Sequence, residues 1–336
     1  MSPSLTVVIP VYNEAANLPA TIEALVEAVA NSGFECDVVL VDDGSTDGTA
    51  EVARDALSER LPLHVVSQQN RGRFEARRSG LDAARSEWIL LLDGRVRLRP
   101  ASLAFVERRL AAGETVWNGH VHVETDGNPY GSFFNVLAEL AWRDYFDDPR
   151  PMSFDAESFD RFPKGTGCFL VSRSLLAEAV GAFRSGFDDP RHANDDTPLI
   201  RWISAQTPIH LSPSFACDYR PRATLRSFLR HAVHRGVVFL DGHGRPESTF
   251  FPVAVAFFPL SAGLAVASVR RPLLLPVVGA ISAAAASAIA VATRRSQFEA
   301  VSFGALTPLY AVAHGAGMWR GLALMARDRL GRAVRP

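Results

Sequence analysis

The sequence predicts an α/β fold: a mainly parallel sheet with helices on both faces, followed by C-terminal helices that cross a membrane. Three observations predict it. Short β-branched runs alternate with segments of helical period over residues 6–93. Each of these runs ends in a polar, mostly acidic cluster. Near the other end, Phe250–Val269 and Pro272–Thr293 carry no charged residue at all.

The elements follow in order. Thr6–Val11 (TVVIPV) reads as a strand with Pro10 near its end. Asn13 or Asn17 then caps a helix running to about Ala30, with Leu18, Ile22, Leu25, Val26 and Val29 on one face. Asp37–Val41 (DVVLV) is a buried strand ended by Asp42, Asp43 and Gly44. Thr46 or Asp47 caps the next helix, residues 48–59. Leu63–Ser67 is a third strand, Arg73–Ala84 a helix, and Trp88–Leu92 a fourth strand ending at Asp93. Strands alternating with helices make a parallel sheet. Ligands of such sheets bind beyond the carboxyl ends of the strands. Tyr12-Asn13-Glu14, Asp42-Asp43-Gly44-Ser45 and Asp93-Gly94-Arg95 all fall there.

Composition removes several alternatives. The 336 residues hold 35 basic and 36 acidic side chains, a formal net charge of −1. That balance excludes a strongly basic nucleic-acid binder, so no nucleic-acid partner is expected. Cys36, Cys168 and Cys217 have no CxxC spacing, which argues against a disulfide scaffold and a structural zinc site. No GxGxxG follows the first strand and no GxxxxGK[ST] occurs, which disfavours dinucleotide and P-loop sites. Carboxylates at strand ends suit a ligand offering hydroxyls, base N–H groups and a metal-bound diphosphate.

The apolar content is placed late. Hydrophobic residues make up 48% and the mean hydropathy is +0.07, high for a wholly soluble chain. The first apolar run, Leu5–Val11, is short for a signal sequence, so the N-terminal part is expected in the cytosol. The two uncharged C-terminal runs each match the ~20 residues that cross a bilayer. A third, Ala300–Trp319, contains His314 and several glycines. Arginines at 270, 271, 294 and 295 flank the runs, and Arg320, Arg327, Arg329, Arg332 and Arg335 crowd the tail. The positive-inside rule puts that tail in the cytosol, which leaves the third run interfacial, re-entrant or crossing against the rule. Arg222–Gly236 places Leu225, Phe228, Leu229 and Val233 at helical spacing among arginines, as a basic helix on a membrane surface would. The expected organisation is 1–220 catalytic, 221–249 interfacial, 250–325 membrane-embedded with two or three helices, and 326–336 a basic tail.

VVIPVYNE (7–14), VDDGSTDGT (41–49), QNRGRFEARRSGL (69–81), LLLDG (90–94), GTGCFLVSR (165–173), GAF (181–183) and NDDTPLIRW (194–202) stand in this order. The set resembles the family 2 glycosyltransferases with the GT-A fold, over about residues 5–235. The resemblance implies an inverting transferase that moves a sugar from a nucleoside-diphosphate sugar to a lipid-linked or saccharide acceptor. It would work at the cytosolic face of the cytoplasmic membrane, in polysaccharide or cell-wall glycan synthesis, among membrane lipids and within a glycan-assembly complex. Two alternatives are polyprenyl phosphate as acceptor and a non-catalytic, nucleotide-sugar-binding relative.

The resemblance also implies roles. Pro10, Tyr12 and Glu14 line the base and ribose pocket, beside Asp42, and Asp43 contacts the base. Asx turns are the plain reading of that acidic pair. Arg77 lies near the diphosphate. The family's Asp-x-Asp, which holds a divalent cation, reads Asp93-Gly94-Arg95 here. Three outcomes stay open: Asp93 alone anchors Mg²⁺ or Mn²⁺, Arg95 stabilises the leaving diphosphate in place of the metal, or the site is degenerate. Asp196 matches the catalytic base and Asp195 the acid before it. Either is also a fitting cap for a helix over 197–204. Gly165, Thr166 and Gly167 would run beside the acceptor and donor sugar. Arg230 and Arg235 would close over the diphosphate.

Overall fold

Runs such as VVIPV and DVVLV are apolar at successive positions, and a strand of that kind must be covered on both faces. The computed structural model, which describes residues 3–194, 196–246 and 248–334, builds such a sheet. The chain divides into two units: Met1–His122, Asp144–Ser185 and Asp189–Arg220 form the first, and Val123–Arg143, Gly186–Asp188 and Pro221–Pro336 the second. Residues 123–143, inside the span expected for the first domain, thus belong to the second unit.

In the first unit β1 (Ser4–Val11), α1 (Leu18–Ala30), β2 (Glu35–Asp42), α2 (Thr49–Leu57), β3 (Leu63–Ser67), α3 (Arg73–Ala83) and β4 (Trp88–Leu92) follow the expected alternation. Then come β5 (Val96–Leu98), α4 (Ser102–Ala111) and β6 (Trp117–Val123). After α5 (Pro129–Ala141) and the short α6 (Arg143–Phe146), the chain forms β7 (Met152–Phe154), β8 (Cys168–Ser172), α7 (Arg173–Ala182), α8 (Thr197–Ser204) and β9 (Ile209–Tyr219). The strand order is β3-β2-β1-β4-β8-β6-β9-β5, with β7 on β9. The four expected strands are parallel. β8 joins β4 antiparallel, so the sheet is mixed.

Side chains alternate across it. Val7, Ile9, Leu40, Leu90 and Leu92 pack with Ile22 and Leu25 of α1 and Leu103 of α4. Val8, Val39, Ile89 and Leu91 pack on the other face with Phe74 of α3, Leu176 of α7 and Ile200 of α8. Gly80 lets α3 lie flat on the strands, since a Cβ there would stand 2.3 Å from Val8 Cγ1. Two caps differ from expectation. Asn17 precedes α1 but makes no capping bond, and its amide donates to Glu14 Oε2 at 2.8 Å instead. α2 starts after Gly48, whose φ of 78° suits glycine, while Asp47 accepts the Thr49 N–H at 3.2 Å.

The second unit is helical. α9 (Leu225–His243), α10 (Phe251–Arg270), α11 (Leu274–Ala292) and α12 (Gln297–Val334) join α5. Phe133 and Val136 of α5 pack with Phe228 of α9, Ala286 and Ala290 of α11, and Phe303 and Leu306 of α12. Small residues set the closest approach: a Cβ on Gly236 would lie 2.0 Å from His314 O, and one on Gly317 2.1 Å from Val233 O. α10 and α11 are long and apolar enough to cross a membrane. The third uncharged run is no separate segment. It lies within α12, a 38-residue helix of about 57 Å.

Candidate active site

Parallel, in-register strands bring their carboxyl ends to one edge. There Val11 faces Asp42, and Asp42 faces Ser67. β8 enters at the same edge because it runs antiparallel, and the Asp93 N–H donates to Gly167 O at 2.9 Å. The expected motifs therefore meet through topology.

The β1 and β2 loops are laced together. Asn13 adopts φ 55°; its N–H donates to Ser45 Oγ at 2.9 Å, and its side-chain oxygen accepts the Thr46 N–H at 2.8 Å. Pro10 sits within β1 opposite Val41. Tyr12 is half exposed, its ring available to a ligand. Asp42 accepts the Ser45 N–H at 2.9 Å, the Asx turn expected of Asp-Gly-Ser.

Asp43 is buried and already occupied. It accepts Gln68 Nε2 at 2.7 Å and the N–H groups of Arg71 and Gly72 at 2.8 and 2.9 Å. Of a carboxylate's roughly four acceptor positions, three hold the β3–α3 loop. Ser79 donates to Gln68 Oε1 at 2.7 Å and fixes the amide. Sequence motifs alone did not single out Gln68 and Ser79, although Gln68 directly precedes the Gln69-Asn70 pair.

The centre of the edge is Arg77. Its side chain is only 4% exposed, and it stands 2.7 Å from Asp93 Oδ1 and 3.5 Å from Asp196 Oδ1. Asp196 also accepts the Thr166 hydroxyl, and the Thr166 N–H at 3.3 Å. Burial alone would raise the Asp196 carboxyl, but Arg77, then Arg73 and Thr166, outweigh it and hold the pKa below the ordinary value. Asp196 is thus ionised at neutral pH. Thr166 was expected near the sugars; here it supports the carboxylate. Gly165 N–H donates to Asn118 Oδ1 at 3.0 Å and orients that turn.

Two expectations change. Arg95 does not project freely: its Nε donates to Glu14 Oε1 at 2.7 Å. Glu14 is held by both Arg95 and Asn17. Asp196 precedes α8 without a side-chain capping bond, and Asn194 accepts the N–H groups of Asp196 and Thr197 at 3.2 and 3.1 Å. Asp195 itself lies outside the described residues. Arg230 and Arg235 stand on α9 in the second unit, Arg235 at 5.7 Å from the Phe134 ring centre. Lys164 is a structural residue: its ammonium donates to Phe162 O at 2.8 Å and to Phe159 O, and burial pushes its pKa down to about 8.

Among the described residues no three His, Cys, Asp or Glu side chains gather as a metal cluster. The carboxylate expected to hold a cation, Asp93, already faces the Arg77 guanidinium. A lone carboxylate fits a metal such as Mg²⁺ when most of its other oxygens come from a ligand and water.

A family model described as glycosyl transferase family 2 matches residues 6–177, just over half of the chain. The succinoglycan biosynthesis protein ExoO of Rhizobium meliloti (strain 1021) is 36% identical over 141 residues, 41% of this chain and 39% of that protein. The undecaprenyl-phosphate 4-deoxy-4-formamido-L-arabinose transferase of Pseudomonas aeruginosa (strain LESB58) is 31% identical over 140 residues, 41% of each. The chain thus matches about two fifths of the length of these curated relatives. Among solved structures, S. aureus TarS 1-349 in complex with UDP-GlcNAc is similar in fold, with a TM-score of 0.51 and 15% identity over 98% of this chain and 92% of that one.

Proposed function

The chain belongs to glycosyl transferase family 2, and from that premise we propose an inverting, membrane-anchored enzyme that transfers a sugar from a nucleoside-diphosphate sugar to a hydroxyl of a lipid-linked or saccharide acceptor. The observation that carries the reading is Asp196, ionised and held by Thr166 and Arg77 at the edge where the nucleotide motifs end. Its carboxylate takes the acceptor hydroxyl's proton as that oxygen attacks the anomeric carbon. The bond from that carbon to the diphosphate breaks, and the electron pair leaves with the diphosphate. Arg77, and Arg95 once released from Glu14, face the charge that develops there. A Mg²⁺ or Mn²⁺ brought by the donor would find Asp93 as its protein ligand and would add charge neutralisation at the leaving group. Tyr12 stacks on the base, Pro10 and Glu14 border base and ribose, and Asp42 and Asp43 shape the loops around them.

The apolar helices α10 and α11 support a place in the membrane, with the first unit on the cytosolic side and the basic tail beside it. That location and the relatives' names, one of which contains undecaprenyl-phosphate, favour a lipid-linked acceptor in glycan synthesis. With polyprenyl phosphate itself, the acceptor is already ionised and needs no base. Full dependence on Asp196 therefore favours the hydroxyl.

The test is a thermal-shift panel on the detergent-purified chain with UDP-glucose, UDP-N-acetylglucosamine, GDP-mannose and dTDP-glucose, each with Mg²⁺, Mn²⁺ or EDTA. The expected result is a shift with one nucleotide class. Survival of that shift in EDTA assigns the diphosphate to Arg77 and Arg95. Loss in EDTA assigns a donor-borne cation to Asp93. A folded protein that shifts with none of the four overturns the donor reading and favours a non-catalytic relative.

A further inference from the structure

The arginines of α9 differ from those at the candidate active site. There Arg71, Arg77, Arg78 and Arg95 each stand 2.6–3.1 Å from a carboxylate oxygen. On α9, Arg226, Arg230 and Arg235 make no ion pair among the described residues. Arg226 and Arg230 are exposed, as on any solvated helix face. Arg235 is exposed too, but its guanidinium lies 5.7 Å from the ring centre of Phe134 on α5 and acts electrostatically on His314 of α12.

Three more polar side chains gather around it, all within the second unit. His231, one turn before Arg235, packs edge-on against Phe134 at 5.1 Å between ring centres. Tyr310 of α12 meets the same ring at 5.8 Å. The Tyr310 hydroxyl stands 3.3 Å from His314 Nδ1, and the two rings stack at 5.1 Å. Each helix thus contributes an i, i+4 pair, the spacing that puts both side chains on one face. Gly236, beside Arg235, admits the His314 backbone. Gly315, beside His314, faces α10: a Cβ there would lie 3.0 Å from Phe257 Cζ. The cluster therefore stands next to a helix long and apolar enough to cross a membrane.

Its composition selects a ligand. A guanidinium, two imidazoles and a phenol all offer N–H or O–H donors, and no carboxylate is among the four side chains. A cation close to hydrocarbon is costly unless an anion accompanies it. A guanidinium takes phosphate through two parallel N–H bonds. Apolar helix surface alongside suits a phosphate that carries a lipid chain.

We propose that Arg235, His231, Tyr310 and His314 bind the phosphate of a single-chain acceptor lipid, with Phe134 under the guanidinium. The inference rests on the reading of the acceptor as lipid-linked and gives that phosphate a place within the second unit. It also reassigns Arg235, which the family resemblance put over the donor's diphosphate.

The experiment uses the full chain in dodecyl maltoside, with dodecyl phosphate titrated into the micelle and Tm as the readout. Inorganic phosphate lacks the chain, dodecanol lacks the charge, and phosphatidylglycerol represents bulk anionic lipid. The expected result is a saturable rise in Tm with dodecyl phosphate at mole fractions where the other three have little effect. Arg235→Met should weaken the apparent affinity by about tenfold or more, the weight of a charge-assisted hydrogen bond. Tyr310→Phe should weaken it by about two- to tenfold. Arg226→Met, on the same helix, should change it by less than about twofold.

Equal losses in Arg226→Met and Arg235→Met would mean a diffuse basic surface and overturn the proposal. An equal response to inorganic phosphate or to phosphatidylglycerol would assign the cluster to the free anion or to bulk lipid, and overturns it too. So does an Arg235→Met chain that loses its shift with nucleotide sugars but keeps the one with dodecyl phosphate, which would return Arg235 to the donor. If Arg235→Met does not fold, Tyr310→Phe, which removes a single hydroxyl, carries the test, and unchanged affinity with it overturns the proposal. The acceptor reading is checked separately, by asking whether sugar from a radiolabelled donor enters a chloroform–methanol extract of membranes holding the chain. Should it not, the lipid-linked acceptor fails, while the dodecyl phosphate titration still decides whether the cluster binds a lipid phosphate.

Discussion

Helices α1 and α10 are both rich in apolar residues, yet they use them differently. In α1, Leu18, Ile22 and Leu25 recur on one face and are fully buried against the sheet. In α10, Leu260, Val266 and Val269 are 71%, 65% and 85% exposed, and the apolar residues run all round the helix. A one-sided stripe has found its cover inside the protein; an all-round one calls for an apolar solvent. Buried charges depend on their neighbours in the same way: Arg77 pairs with Asp93 and Asp196, Asp43 accepts the backbone amides of Arg71 and Gly72, and Asp328 does both, accepting the Asp188 N–H and the Arg327 guanidinium. Apolar or acidic content alone thus says little about a segment's role, and the geometry of its neighbours says most of it.

The largest effect that would test this contrast is at the first unit's centre. Asp196→Asn should lower kcat by about 10²- to 10⁴-fold, the usual contribution of a general base, while donor binding persists. Steady-state release of nucleoside diphosphate, with the donor's thermal shift as control, checks it. Retained turnover would place the base elsewhere, or show an acceptor that is already ionised.

Next comes the contrast between the helices themselves. Ile22→Ala should destabilise the first unit by about 2–5 kcal/mol through its cavity. Val266→Ala should change stability in detergent by less than about 0.5 kcal/mol. Chemical denaturation followed by Trp fluorescence measures both. Equal losses would mean that protein, not lipid, covers the outer face of α10. For the membrane reading itself, a Leu260→Arg/Val266→Arg chain should be released by alkaline carbonate from membranes that retain the wild type.

How much of this the sequence disclosed obeys the same division. The β-branched runs of β1, β2 and β4 and the polar residues after them were legible, because strand period and turn chemistry are local. The antiparallel arrival of β8 was not, since pairing across more than seventy residues leaves no local mark. The residue types around Asp93 and Asp196 were legible as motifs, but the partners were not. Thr166 on Asp196, Arg95 on Glu14 and the engagement of Asp43 by Gln68, Arg71 and Gly72 depend on how three loops meet. The charge-free runs announced α10 and α11, whereas the third run's absorption into α12 rests on glycine packing against α9.

Glycines give a smaller test of the same contrast. At Gly80 an added methyl meets side-chain atoms, those of the buried Val8 and Val41, rather than backbone. At Gly317 it meets the carbonyl of Val233 and the backbone of Gly236, which cannot give without moving a helix. Gly317→Ala should therefore cost about 1–3 kcal/mol, and Gly80→Ala the lower end of that range or less. Denaturation midpoints of the two variants rank them, and the reverse order would mean that the sheet is the stiffer neighbour.

The smallest expected effect is in the pH dependence of the first unit. Arg77, with Arg73 and Thr166, holds the Asp196 pKa below its ordinary value against the opposing push of burial. A depressed carboxyl stabilises the fold fully above its unfolded pKa, about 3.9, and the contribution is lost as pH falls through the folded value. Asp196 should therefore contribute no change in stability between pH 7 and about 5, and none of the acid loss of kcat above about 4. In Arg77→Met, burial would act without its main opponent, so the acid limb of kcat should move to higher pH while Arg95 and Glu14 keep their pairing. A wild-type acid limb centred above about pH 5 would show that Arg77 does not face Asp196 during turnover.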